Sequence, residues 1–212
     1  MEVFARNILK QEYYDEFEDT AIYYRYARIG TITPTIGGGI YSCVDITVSS
    51  SSTNAYSYLT PNMVAGRLDW KNGIMKAIFM GIYGLPNNFY PEFGYYIDES
   101  THLLVSVNTS NSKFCIKQNN SIIATTDLLY EANKTYVAML SCNETGDKAS
   151  LIIGDYPARE DFRNVKMRIV ETTITAPTQK YIPVLGCRGI NDGRFRWDLW
   201  GFSVERLPIE TA

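Results

Sequence analysis

A chain of 212 residues, 45% hydrophobic and 20% charged, is long enough to bury a sizeable core without disulfide staples and has the composition of a globular protein. The formal net charge is only −3, and lysines and arginines are scattered with no basic run to track a phosphate backbone, so the expectation is no nucleic-acid partner. Residues 1–7 carry no apolar core and no small-residue cleavage site, and no apolar run approaches bilayer length; the expectation is a soluble chain without a membrane span, made in a cytoplasm or with its signal removed, Met1 favouring the former.

Residues 1–35 read as an N-terminal arm: Gln11 to Asp19 is acidic and aromatic, and Ile22 to Tyr26 has the pattern of a strand. Gly37, Gly38 and Gly39 read as a hinge or tight bend, since no lysine follows to make a phosphate loop. Residues 36–212 then alternate short β-branched or aromatic runs with turn residues. Strands are expected over 40–48, 74–83, 93–97, 102–108, 113–117, 121–126, 135–142, 149–154, 165–175, 181–187 and 196–206. Ser49 to Asn54 reads as a polar loop, and 135–142 and 149–154 as the arms of one hairpin. Tyr136 to Leu140 is apolar at successive positions, the mark of a strand buried on both faces. With no amphipathic helix to carry a parallel crossover, the expected fold is all-β, an antiparallel sandwich or barrel with an N-terminal arm.

The residues that carry chemistry are few. The single histidine, His102, stands beside Leu103 and Leu104 in an expected strand, with no nucleophile elbow anywhere, so it reads as a packed residue and not a base. Cys43, Cys115, Cys142 and Cys187 are far apart, which gives no metal or redox pair; each reads as a buried free thiol. A glycan hydrolase needs two carboxylates facing across a cleft. The acidic clusters 15–19 and 160–161 lie in an arm and a loop, so no enzyme activity, cofactor or metal is expected. The four Asn-x-Ser/Thr sequons, at Asn108, Asn119, Asn133 and Asn143, fit chance in an Asn-, Ser- and Thr-rich chain.

Aromatic clusters are the best candidates for function. Phe89, Tyr90, Phe93, Tyr95 and Tyr96 stand beside Asn87, Asn88 and Asp98, and Trp197 and Trp200, three apart in one strand, should point to opposite faces. Flat rings rimmed by amides and carboxylates suit sugars, and the expected carbohydrate-contacting residues are Tyr90, Tyr95, Tyr96, Asp98 and Trp200. The competing reading makes the same rings core or subunit interface.

Leu128 to Leu140 resembles the lead-in to a strand of concanavalin A-like and laminin G-like jelly rolls, with a turn, a lysine, an aromatic and then alternating apolar residues. The strand ending in glycine at Leu151–Gly154, the Val184-Leu185-Gly186-Cys187-Arg188 segment and the closing run Arg194 to Leu207 are similar to later strands of that family. Tyr136 stands where the family has tryptophan, Arg196-Trp197 displaces a usual glycine, and the first half shows no convincing counterpart of its calcium ligands; the resemblance implies an all-β fold, an antiparallel β-sandwich of jelly-roll type with an N-terminal arm, and no calcium site. In layout and composition the chain also resembles virion components of tailed bacteriophages. That resemblance implies a non-enzymatic structural component of a virus particle or phage tail, located in the virion. It would act through contacts with copies of itself and with other virion or tail proteins, host-surface glycan being a further partner. The alternative is a lectin-like carbohydrate-binding module, extracellular or at a cell surface.

Overall fold

The computed structural model describes residues 9–15, 26–33, 35–38, 44–61, 71–83, 89–156, 167–176 and 181–206. Among them there is no helix. The strands are β1 (Leu9–Asp15), β2 (Tyr26–Gly30), β3 (Thr35–Gly38), β4 (Val44–Pro61), β5 (Ile74–Tyr83), β6 (Phe89–Asp98) and β7 (Thr101–Asn108), then β8 (Lys113–Gln118), β9 (Ser121–Leu129), β10 (Thr135–Cys142), β11 (Lys148–Tyr156), β12 (Arg168–Thr173) and β13 (Ile182–Arg206). Each pairing is antiparallel.

Asparagine-rich turns set the hairpin registers. Gln118 pairs with Ser121 across Asn119 and Asn120, both at positive φ (54° and 72°), the two-residue turn whose twist matches that of its flanking strands. Asn143 closes the β10–β11 hairpin: its Oδ1 accepts the N–H groups of Asp147 (3.1 Å) and Lys148 (3.0 Å), while Gly146 takes φ 74°.

The hydrogen-bonded path runs β12-β11-β10-β5-β13-β6-β7-β8-β9, and β13 is its spine. Ile182 to Gly189 pairs with β6, whereas Arg194 to Ser203 pairs with β5. On its other flank β13 pairs with β4, which carries β2 and β3, and with β1. The path folds back on itself into two layers with an aromatic core between them. Phe79 of β5 lies 6.0 Å, centroid to centroid, from Phe93 of β6 and from Phe114 of β8, 5.9 Å from Tyr136 and 5.1 Å from Trp197. At the far side β9 and β12 meet through the Thr172 hydroxyl and the Ile123 carbonyl (3.3 Å), and Gln118 clasps the Thr175 backbone with two hydrogen bonds.

Most expected strands are present; the differences have physical causes. Ser49 to Asn54 is not a loop but part of β4. Gly189 pairs with Ala55 and Asn191 with Ser50, so residues 51–54 bulge opposite Ile190 where β4 passes from one layer to the other. The runs 181–187 and 196–206 join into one strand, which stays in the ladder through bulges between Gly189 and Asn191 and between Trp197 and Leu199. Gly37 and Gly38 are ladder members opposite Asp45 and Val44, not a hinge. Burial on both faces falls on β6 and β7, while β10 alternates buried with half-buried residues. Within the first 35 residues, β1 pairs with the end of β13 and β2 with β4; residues 16–25 lie outside the described residues. Cys115, Cys142 and Cys187 are buried free thiols as expected; Cys43 lies outside the described residues.

Phe79 joins both layers, so Phe79→Ala should cost about 3–5 kcal/mol, the range for emptying an aromatic core position, as measured by denaturant unfolding. A loss below about 1 kcal/mol would mean that the layers do not meet there.

Candidate functional site: a polar sheet face around Glu92

Residues opposite one another in a ladder share a face, as do residues two apart along a strand. In the layer containing β6 to β9, one face turns Leu59, Leu185, Phe93, Val105 and Ile116 into the core. The ladder fixes what the other face carries. Tyr58, Gly186 and Glu92 form one cross-strand row; Tyr56, Arg188 and Tyr90 form the next. On the other side of Glu92 come Val184, Gly94, Leu104 and Lys117, and then Tyr96 with His102. Tyr56, Tyr58, Tyr96, Leu104 and Val184 make a second apolar cluster, separate from the main core.

Glu92 is the centre of this face and is 0% exposed. The Ser106 hydroxyl donates to its Oε1 at 2.8 Å, and the Arg188 Nε–H to its Oε2 at 3.0 Å. The Tyr58 hydroxyl donates to Oε2 as well, and Lys117 Nζ lies 3.6 Å from Oε1. Tyr58 sits two strands from Glu92, roughly 9.6 Å at the usual strand spacing. Its side chain spans that gap across the position of Gly186 in the strand between them, a residue packed close against the β4 backbone. A Cβ there would lie 2.0 Å from the Ser57 carbonyl oxygen. Arg188 is held from three sides: by Glu92, by the Tyr58 oxygen accepting from Nη2 at 3.1 Å, and by the Tyr56 ring 4.8 Å beneath its guanidinium carbon. The tyrosines also brace one another, with Tyr56 and Tyr96 hydroxyls 3.2 Å apart and Tyr58 edge-on to Tyr96 at 5.5 Å.

Burial alone would raise the Glu92 carboxyl pKa, but Lys117 and Arg188, with the Tyr58 and Ser106 hydroxyls, hold it below its ordinary value. Glu92 is therefore an ionised anchor and not a proton donor. Burial pushes the Tyr58 phenol well up, and pushes the Cys115 thiol to about 12, so neither ionises near neutrality. His102 is 1% exposed and stacks on Tyr96 (6.3 Å, 11°). Its Nδ1 faces the Asp98 carbonyl and its Nε2 accepts the Asn120 N–H, both at 3.4 Å, a pairing that a neutral imidazole satisfies. Burial, the largest effect, lowers its pKa; Glu92 opposes the shift, and Lys117 and Arg188 reinforce it. This is the packed histidine that the sequence indicates.

The predicted contact residues divide. Tyr90 and Tyr96 share the Glu92 face, Tyr90 half-buried beside Arg188 and Tyr96 buried. Asp98 is exposed at the end of β6, where its carboxylate accepts from the N–H and hydroxyl of Ser100. Tyr95 points the other way: it is 0% exposed and edge-on to Tyr181 at 4.4 Å, so it fills core and offers no ring to solvent. Trp197 is also core. A register shift falls between Trp197 and Leu199, with Trp197 opposite Phe79 in the ladder; the Trp200 side chain lies outside the described residues. Asn87 and Asn88, and the acidic pair 160–161, also lie outside them. Among the described residues no group of acidic, histidine or cysteine side chains could hold a metal ion.

Sequence reasoning passed over Tyr58, Ser106, Lys117 and Arg188. Their signal was a period-two pattern of polar residues inside apolar runs, as in Tyr90-x-Glu92-x-Gly94-x-Tyr96, visible only once the ladder aligns the strands.

Two outcomes follow. Glu92→Gln keeps the shape and strands two cations, so it should cost roughly 3–5 kcal/mol in unfolding free energy; a change under about 1 kcal/mol would show the charges to be solvated. His102 and Glu92 both have folded pKa values below their ordinary 6.5 and 4.5, so each contributes stability above those values that is lost as pH falls through the folded pKa. The melting temperature should therefore decline below about pH 6.5, and His102→Gln should remove the upper part of that decline. An unchanged slope in the variant would contradict the assignment.

No family model matches this chain, and no curated protein sequence matches it. Solved structures do. A Lotus tetragonolobus seed lectin superimposes with TM-score 0.62 over 93% of this chain and 100% of that one, at 10% identity. Peanut lectin, solved with a nonapeptide, gives 0.61 over 93% and 99% at 8% identity. Lectin I from Ulex europaeus, in complex with the methyl glycoside of α-L-fucose, gives 0.59 over 92% and 97% at 11% identity. Identities this low speak for fold alone, and the fold they show is the β-sandwich jelly roll of the legume lectins.

Proposed function

We propose that this protein is a lectin-like carbohydrate-binding module that acts by binding and not by catalysis. The observation that carries the reading is the match of nearly the whole chain to lectin sandwiches, together with a sheet face combining tyrosine rings with fixed charges. Sugars present an apolar ring face and a hydroxyl rim; on this face the half-buried Tyr90 offers a ring and Lys117 and Asp98 offer polar partners, while the buried Tyr56, Tyr96, Arg188 and Glu92 hold the face together beneath them. Solvent reaches this face at Tyr90, Ile182 and Lys117, which are half-buried where their neighbours are buried. Those positions, with exposed Asp98, are the proposed rim.

The lectin reading displaces the virion or tail component as the main one. None of the likenesses described above is to a virus particle, and they lend no support to tail-protein partners or a virion location. Hydrolysis finds no footing at Glu92, whose ionised carboxylate is committed to Arg188, Ser106 and Tyr58.

The test is a broad glycan array with the purified chain and Tyr90→Ala. Binding of a defined glycan set, weakened roughly tenfold in the variant by loss of one ring contact, is expected. Absence of binding to any glycan at millimolar concentration would sink the proposal.

A further inference from the structure

The Glu92 face carries more positive than negative charge. Among the described residues two cations, Arg188 and Lys117, pair with one carboxylate, Glu92. The other acids nearby do not balance them: Asp98 is exposed, turned into its own Ser100 turn, and Glu99 beside it is exposed too. Tyr56, Tyr58, Tyr90 and Tyr96 are phenols, and the His102 contacts are those of a neutral ring, so none of them offsets the surplus.

The surplus is localised. Both Glu92 oxygens already accept hydrogen bonds, from Ser106 on one side and from Arg188 and Tyr58 on the other. Arg188 is spent within the network and its side chain is 5% exposed. Lys117 differs. Its ammonium is 3.6 Å from Glu92 Oε1, beyond hydrogen-bond distance, and its side chain is 12% exposed. It stands at the edge of the network with its N–H donors uncommitted among the described residues. A largely buried cation that shares its one counter-ion with a second cation is attracted to any anion that can reach it.

We propose that this face takes an acidic saccharide at its accessible edge, with Lys117 meeting the sugar's carboxylate or sulfate. The assignment rests on the carbohydrate-binding reading and names the ligand class. An ammonium is a point charge without the planar fork of a guanidinium, so Lys117 reads charge and not the geometry that separates a carboxylate from a sulfate. A neutral sugar leaves the surplus unmet. The anion completes what the protein leaves open: Arg188 with Glu92, and Lys117 with the ligand.

The experiment measures binding of the full chain to polygalacturonate, dextran sulfate and neutral dextran of matched length, at low and high salt. Lys117→Gln and Lys117→Arg are run in parallel, with melting temperatures as a folding control. Lys117 lies 3.6 Å from Oε1 of Glu92 while Arg188 pairs with Oε2, so neither variant removes a partner of the Glu92–Arg188 pair. Expected are binding to one or both acidic polymers that weakens with salt, at least a tenfold loss in Lys117→Gln, and recovery in Lys117→Arg. Binding to neutral dextran alone would overturn the acidic assignment while leaving a carbohydrate-binding protein. Equal acidic binding by Lys117→Gln would overturn the role of Lys117. No binding to any of the three, together with an empty glycan array, would overturn both readings.

Discussion

β13 is shared by both layers, and that continuity constrains everything else. Its first half lies between β4 and β6, and its second half between β5 and the strands β4 and β1. Alternation along the first half sends Leu185 and Cys187 into the core and leaves Gly186 and Arg188 on the outer face. One strand thus delivers a packing surface, an ion-pair partner and the glycine position across which Tyr58 reaches Glu92. The bulges between Gly189 and Asn191 and around Trp197 absorb the bend that lets it serve two layers.

On the outer face, one carboxylate organises the rest. A buried Glu92 is tolerable only because two cations and two hydroxyls face it, and the aromatic cluster of Tyr56, Tyr58 and Tyr96 holds those partners in place. Such a network adds little net stability over an apolar substitute, since desolvation of the ions offsets most of their attraction. Its value lies in fixing positions: rings at set angles, a guanidinium pinned on a ring, and an ammonium at the edge. Those are the properties a recognition surface needs, because groups already in place lose little freedom when a ligand arrives.

Much of the fold was legible in the sequence. β5 and β10 agree with expectation residue for residue, because both are apolar runs bounded by turn residues, and the β10–β11 hairpin follows from its Asn143–Gly146 turn. The passage of β4 through Ser49 to Asn54 was not legible, since a polar run inside a strand looks like a loop until its partner is known. The site was half legible. Tyr90 and Tyr96 could be nominated from composition, but Tyr95 could not be told from them, because facing is decided by register and adjacent residues point apart. Arg188 and Lys117 are 71 positions apart, and each looks ordinary until the strands between them are aligned.

The proposed saccharide site is the Glu92 face. The direct measurement is an NMR titration of the isotope-labelled chain with the best saccharide from the array, followed amide by amide. The account predicts that the largest shifts fall on Tyr90, Gly94, Leu104, Lys117 and Arg188, with the β10–β11 hairpin unmoved. Shifts confined to other strands or turns, with these five residues silent, would contradict it.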